Sequence, residues 1–200
     1  MKFIENIVTD KVMERAKRIF LQDHFGWFYN SSTSKIRPGD KTVLMDEQTK
    51  ESIQFTHKLY TDGTFDSEYV DFIMKIMKGL EEKEGIVCTK MLRAKCNLLP
   101  QDASYGTDFY HPPHVDIINP TDINYSLIYY VNNSDGDTIL FNEQFGDEFD
   151  KLTIAHRQTP KEGCALLFKS GTYHASSSPM LTNSRVIMNI VFESDETKDR

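Results

Sequence analysis

Between residues 86 and 192 the apolar residues change their spacing, and this change constrains the fold more than any other feature of the chain. Upstream, apolar positions recur every three or four residues. Downstream they alternate or run together in short blocks: "IVCTKMLRAKCNLL" (86–99), "YSLIYYV" (125–131), "DTILF" (137–141), "ALLFK" (165–169) and "RVIMNIVF" (185–192). Blocks of β-branched and aromatic residues with period two, bounded by turn residues, signal strands. Asn132, Asn133, Ser134, Asp135 and Gly136 supply a hairpin-like turn between two of them. Short strands following helices describe an α+β chain: a β-sandwich or open barrel backed by helices.

The front of the chain carries the helices. Residues 9–22 read as one, capped by Thr9 or Asp10, with Val12, Ala16, Ile19 and Phe20 as its apolar stripe. Residues 67–83 read as another: Ser67 is the cap, Val70, Ile73, Met74, Met77 and Leu80 form a packing stripe, and Gly85 is the stop. Residues 47–59 read as a short helix, and 23–45 as irregular apart from the apolar island "FGWFY". The expected organisation is one domain over 1–200, with helical and irregular support in 1–85, a strand core in 86–193 and a polar, fraying tail in 194–200.

Composition narrows the function classes. Hydrophobic content of 39% and charged content of 26% suit a soluble globular chain. No apolar run approaches the roughly 20 residues needed to cross a bilayer, and "MKFIENIVTDKVMERAKRIF" is charged throughout, with no signal-peptide core. Cys88, Cys96 and Cys164 form no CxxC and read as reduced thiols in a cytoplasmic protein, Cys88 and Cys96 serving as packing residues. A net charge of −7 argues against general nucleic-acid binding, which needs a basic surface. The local cluster Lys90, Arg93 and Lys95 reads as a solvated strand face. Oligomeric state is not legible.

His114-Val115-Asp116, a distant His174 and then Arg185 form the chemical core of the sequence. His114 and Asp116, two apart, point to one face of an extended segment. Two imidazoles and a carboxylate make the three-ligand set that holds non-haem Fe(II) and leaves positions open. "HPPH" offers a competing imidazole, His111, but only His114 has the i, i+2 relation to a carboxylate, so His111 reads as a loop residue near the entrance. Arg185, Ile187, Asn189 and Val191 share one strand face. An inward Arg there needs an anion, because an unpaired buried charge is costly.

These residues resemble the Fe(II)/2-oxoglutarate-dependent dioxygenases, most closely their prolyl-hydroxylase-like branch. The resemblance runs from about Val87 to Glu193 and rests on "HPPHVD" (111–116), "YSLIYYVNN" (125–133), "GDTILFNE" (136–143), "GCALLFKSGTYHASSSP" (163–179) and "SRVIMNIVF" (184–192). It implies a double-stranded β-helix (jelly roll, cupin-like) and a metal site of His114, Asp116 and His174. It implies 2-oxoglutarate as cosubstrate and O₂ as oxidant, with ascorbate as an auxiliary reductant, and the hydroxylation of an unactivated C–H with release of succinate and CO₂. Arg185 is implied as anchor for the distal carboxylate of 2-oxoglutarate. Tyr129 is its hydrogen-bonding partner, with Tyr130 the alternative, since strand parity lets only one point inward. Asn189 and Asn97 are candidates to orient the cosubstrate or a water. Tyr105, Tyr110 and Trp27 are candidates to line the entrance, with packing as the other reading of Trp27. The implied substrate is a prolyl residue in a protein or peptide; a free amino acid or other small molecule is the alternative. Two other readings stay open: a cupin-like metal dioxygenase without a keto acid, which would not need Arg185, and a non-catalytic jelly-roll binding module.

Overall fold

A computed structural model describes residues 1–22, 24–34 and 43–195. In chain order the elements are β1 (Lys2–Ile4), α1 (Asp10–Phe20), β2 (Phe28–Asn30), β3 (Gln54–Thr61), β4 (Thr64–Phe65), a 3-10 turn (Glu68–Val70) leading into α2 (Asp71–Glu84), β5 (Lys90–Pro100), β6 (Asn124–Tyr130), β7 (Thr138–Gln144), β8 (Ile154–Gln158), β9 (Ala165–Lys169), β10 (Thr172–Ser176) and β11 (Ser184–Glu193). The larger sheet has the order β1-β9-β6-β11-β5-β3-β2, with β4 attached to β3, and the smaller has the order β10-β7-β8. All pairings between these strands are antiparallel. The two sheets face one another, and α1 and α2 cover the outer face of the larger. This is the double-stranded β-helix with supporting helices.

Strand parity sorts the side chains into layers. On the outer face of the larger sheet, Ala94, Cys96, Leu127, Tyr129, Val186, Met188, Ile190 and Phe192 pack with Ala16 and Phe20 of α1 and Phe72, Ile73, Ile76 and Leu80 of α2. On the inner face, Ile128, Tyr130, Leu166, Phe168 and Ile187 meet Leu140 of the smaller sheet. Because β6 and β11 lie at the centre and are covered on both sides, they read as near-continuous apolar runs rather than as alternation. Full burial of each Leu, Ile or Phe contributes about 1.5–3 kcal/mol. The helices therefore do more than decorate the sheet.

Both expected helices are present, with adjusted faces. Ser67 caps the 3-10 turn by accepting from the Tyr69 amide, and Gly85 ends α2 in the left-handed region at φ 68°. Met74, assigned to the packing stripe, is instead 62% exposed, and Phe72 and Ile76 take its place in the core. The segment 47–59 is not a helix: its second half is β3, paired along β5. A register shift between Lys58 and Tyr60 breaks the alternation that would have marked this strand. Strand β2 lies inside the stretch expected to be irregular, of which 23 and 35–42 fall outside the described residues, as do 196–200 of the tail. Cys96 and Cys164 are buried packing residues, and Cys88 is half-buried against the helical core. Among the described residues no helix is long and apolar enough to cross a membrane.

Candidate functional site

Pro112 and Pro113 hold the chain extended beside β10. His111 donates its amide to the Ser176 carbonyl at 2.8 Å, and His114 and His174 exchange both backbone hydrogen bonds at 2.9 Å. This pairing brings the two imidazole rings to a centroid separation of 4.4 Å. Asp116 follows two residues on, its amide bound to the Ser170 carbonyl at 3.2 Å. The side-chain donor atoms of His114, Asp116 and His174 all lie within 4.8 Å of one another.

Each group is set up to donate a lone pair. Nδ1 of His174 lies 3.0 Å from the Thr172 carbonyl, and Nδ1 of His114 lies 3.2 Å from the Pro112 carbonyl. A carbonyl only accepts, so the proton belongs on Nδ1 and the Nε2 lone pair is left free. Nε2 of His174 is buried without a hydrogen-bond partner and stands 3.6 Å from Asp116 Oδ2. Burial, with the neighbouring His174, pushes the His114 pKa down to about 3, so its imidazole is neutral. Burial alone would raise the Asp116 carboxyl, but Arg93, the two imidazoles and Ser126 hold it below the usual carboxylate range. Arg93 Nη2 donates to Oδ1, Ser126 Oγ donates to Oδ2 at 2.7 Å, and Asn189 Nδ2 reaches both oxygens at 3.3 Å. An orphaned buried imidazole nitrogen beside an ionised carboxylate fits a divalent cation.

Arg185 lies on the same inner face, four residues before Asn189, and is 3% exposed. Its Nε donates to the Gly136 carbonyl at 2.8 Å and its Nη2 to Thr138 Oγ1 at 2.7 Å. Among the described residues no carboxylate forms an ion pair with it. Burial pulls its pKa down. A side chain at Gly136 would strike the Ser177 carbonyl at 2.5 Å and crowd Arg185 Cδ at 3.1 Å, so this turn requires glycine.

The structure separates the two tyrosines. Tyr130 faces inward: its hydroxyl donates to Thr138 Oγ1 at 3.0 Å, the atom that also receives Arg185. Tyr129 points the other way, into the core under the helices, where its buried hydroxyl has no partner. Tyr129 is therefore corrected to a packing residue, and Tyr130 takes its place beside Arg185. The reason is parity: Ser126, Ile128 and Tyr130 are opposite Val191, Asn189 and Ile187 in the register with β11. Asn97, opposite Ile187, faces the same interior with its Oδ1 buried and unpartnered.

Other expectations also change. His111 is not an entrance residue but is 1% exposed, with its ring nitrogens 2.9 Å from Ser176 Oγ and 3.2 Å from Ser178 Oγ. Tyr105 and Tyr110 are buried, their hydroxyls bound to the Lys50 carbonyl and to Asp46 at 2.8 and 2.5 Å. Trp27 packs on the helical core. Arg93 and Lys95 are not a solvated face, because they share the inner face with Asn97. The sequence reading missed Ser126 and Thr138 as partners and left Tyr130 as the alternative to Tyr129. Counting parity back from Asn189 and Arg185 would have found them only with the register known.

No protein-family model matches the sequence, and no curated protein sequence matches it. Solved structures do. The chain is similar to a 2OG-Fe(II) oxygenase family oxidoreductase from Burkholderia pseudomallei (TM-score 0.61, 11% identity, 94% of this chain and 82% of that one). It is similar to a prolyl hydroxylase from Trichoplax adhaerens in complex with a hypoxia inducible factor peptide fragment (TM-score 0.57, 13% identity, 96% and 83%). It is similar also to the non-heme alpha ketoglutarate dependent epimerase SnoN from nogalamycin biosynthesis (TM-score 0.58, 10% identity, 96% and 77%). At these identities the likeness is one of fold, and it spans nearly the whole chain.

Proposed function

We propose that this protein is an Fe(II)/2-oxoglutarate-dependent dioxygenase that hydroxylates an unactivated C–H bond and converts 2-oxoglutarate to succinate and CO₂. The observation that carries this reading is Arg185. It is a buried guanidinium without a carboxylate partner among the described residues, on the same interior face that holds the triad's neighbour Asn189. A dicarboxylic cosubstrate supplies the missing anion, and a guanidinium grips a carboxylate through paired hydrogen bonds. A metal dioxygenase without a keto acid, or a non-catalytic module, has no use for such a cation.

His114, Asp116 and His174 would hold the metal, the two imidazoles and the carboxylate offering their free lone pairs. Bound there, iron(II) supplies the centre at which O₂ is activated. Arg93, Ser126 and Asn189 fix the carboxylate, while the Thr172 and Pro112 carbonyls fix the imidazole tautomers. Arg185, oriented by Gly136 and Thr138, receives the distal carboxylate of the cosubstrate, with the Tyr130 hydroxyl beside it. The apolar wall of Ile128, Leu140, Leu166, Phe168 and Ile187 keeps water from the interior.

A prolyl residue in a protein or peptide is the substrate the sequence resemblance puts first, and the Trichoplax neighbour is itself a prolyl hydroxylase in complex with a peptide. A small-molecule substrate is supported by a cavity of about 670 Å³ bordered by His114, Asp116, Arg93 and Lys95. That size is typical of small-ligand sites. The test is anaerobic titration of metal-free protein with Fe(II) and then 2-oxoglutarate. A visible charge-transfer band that needs both additions and is absent in His114→Ala supports the proposal. Iron binding without a band on adding 2-oxoglutarate would indicate a different metal chemistry.

A further inference from the structure

The cavity beside the triad carries a charge imbalance that the metal and cosubstrate leave in place. Its lining includes three cations, Lys58, Arg93 and Lys95, against one carboxylate, Asp116. Lys58 and Lys95 are directly opposed residues of β3 and β5. Like charges directly opposed across strands destabilise a sheet. Neither lysine has an ion pair or hydrogen bond among the described residues. Arg93, two residues from Lys95 on the same face, spends Nη2 on Asp116 and leaves Nε buried without a partner. Across the cavity the Thr33 hydroxyl is likewise buried and unpartnered. The rest of the lining is His114, Tyr, Asn, Ser, Thr and Gln residues, with the valines 43 and 115.

We infer that the substrate is a small molecule bearing a carboxylate or phosphate, and that Lys95, Lys58 and Arg93 hold this anion so that the carbon to be oxidised faces the metal. The inference rests on the dioxygenase reading given above. Under that reading Asp116 is engaged by the divalent ion and by Arg93, and the far carboxylate of 2-oxoglutarate by Arg185, so among the described residues Lys58 and Lys95 still lack an anion and Arg93 keeps Nε free. The overall charge of −7 repels anions at long range. Local cations grouped along the wall of a cleft offset this by focusing the field within it. An anion between Lys58 and Lys95 turns their repulsion into a shared, charge-assisted contact and gives Arg93 Nε and Thr33 Oγ1 a partner.

The test uses ¹⁵N-labelled full-length protein with Zn(II) in place of iron and saturating 2-oxoglutarate, titrated separately with sodium acetate and inorganic phosphate. The expected result is saturable amide shifts at Arg93, Ala94, Lys95 and Lys58 with one of the two anions, which identifies the headgroup. Lys95→Gln should weaken that affinity about tenfold, the loss of one charge-assisted hydrogen bond. The exposed Lys58→Gln, which leaves the buried interior untouched, should weaken it about threefold. No saturable shift with either anion overturns the inference. So does a response of these amides to 2-oxoglutarate alone that neither anion extends, because the wall would then be the cosubstrate's own. The charge-transfer band separates the two claims. A band without anion binding removes the anion subsite and keeps the dioxygenase, whereas anion binding without a band removes the dioxygenase and with it the reading of this anion site as a substrate subsite.

Discussion

Arg93 closes on Asp116 so that the Asp116 side chain is 2% exposed while the Arg93 side chain stays 36% exposed. The pair thus joins the metal centre to the cavity wall, and its outer member is open to solvent. Arg93→Gln should destabilise the metal-free protein by about 1–3 kcal/mol, because a buried carboxylate loses its main cationic partner while water screens part of the loss. Urea unfolding of the apo proteins measures this. Unchanged stability would mean that Ser126 and Asn189 suffice to hold the charge.

The same pair sets an acid dependence. The Asp116 carboxyl is held below its ordinary value by Arg93, the imidazoles and Ser126. A depressed carboxylate contributes stability that is fully present above the unfolded-state pKa of roughly 3.9 and is lost as pH falls toward the folded-state value. Removing Arg93 raises the folded value, so Arg93→Gln should shrink this contribution and move the acid-unfolding midpoint of apo protein upward. A midpoint unchanged or lowered would contradict the assignment.

His174→Ala should abolish Fe(II) binding, with affinity falling by more than about 100-fold, since loss of even an outer partner of a metal ligand costs 10–100-fold. The β10–β7 pairing is made by backbone groups and should survive, so circular dichroism and the unfolding midpoint should change little. Retained iron affinity would remove His174 from the centre.

Arg185→Ala should weaken 2-oxoglutarate by roughly 10–100-fold while changing Fe(II) affinity much less, as expected for a lost charge-assisted pair of about 1.5–3 kcal/mol. Tyr130→Phe should weaken 2-oxoglutarate by a smaller factor. Tyr129→Phe should leave it unchanged and cost no stability, because the hydroxyl it removes is buried and unpartnered. Calorimetric titration of 2-oxoglutarate into the Zn(II) proteins measures all three. Equal effects of the two tyrosine variants would refute the strand parity.

Gly79→Ala should destabilise the fold by about 1–3 kcal/mol although alanine favours helices by about 1 kcal/mol. A Cβ at Gly79 would lie 1.7 Å from the Ile7 carbonyl oxygen. The obstruction is backbone, which cannot rotate away, so overpacking outweighs propensity. Thermal unfolding distinguishes the two signs.

The pairing of His114 with Asp116 and the inward face of Arg185 were legible because they depend on local rules, an i, i+2 pair on extended backbone and parity along strand β11; His174, which joins them through a long-range bridge, was reached only through the ligand pattern and the family resemblance. What was not legible depends on register. Nothing local tells Tyr129 from Tyr130, since β6 is covered on both faces and reads apolar throughout. Arg93 and Lys95 looked like a solvated stripe because charge usually marks the outer face, whereas here the outer face of β5 is the apolar one, under the helices. β3 was hidden by its register shift, and β1, β2 and β4 are too short to show a period.

Strand β11 lies between β5 and β6, which do not pair with each other. Without residues 184–193, β5 and β6 would each present an unpaired edge. Arg185 and Asn189 arrive on the strand that joins them. Closure of the large sheet and completion of the interior face therefore depend on the same ten residues.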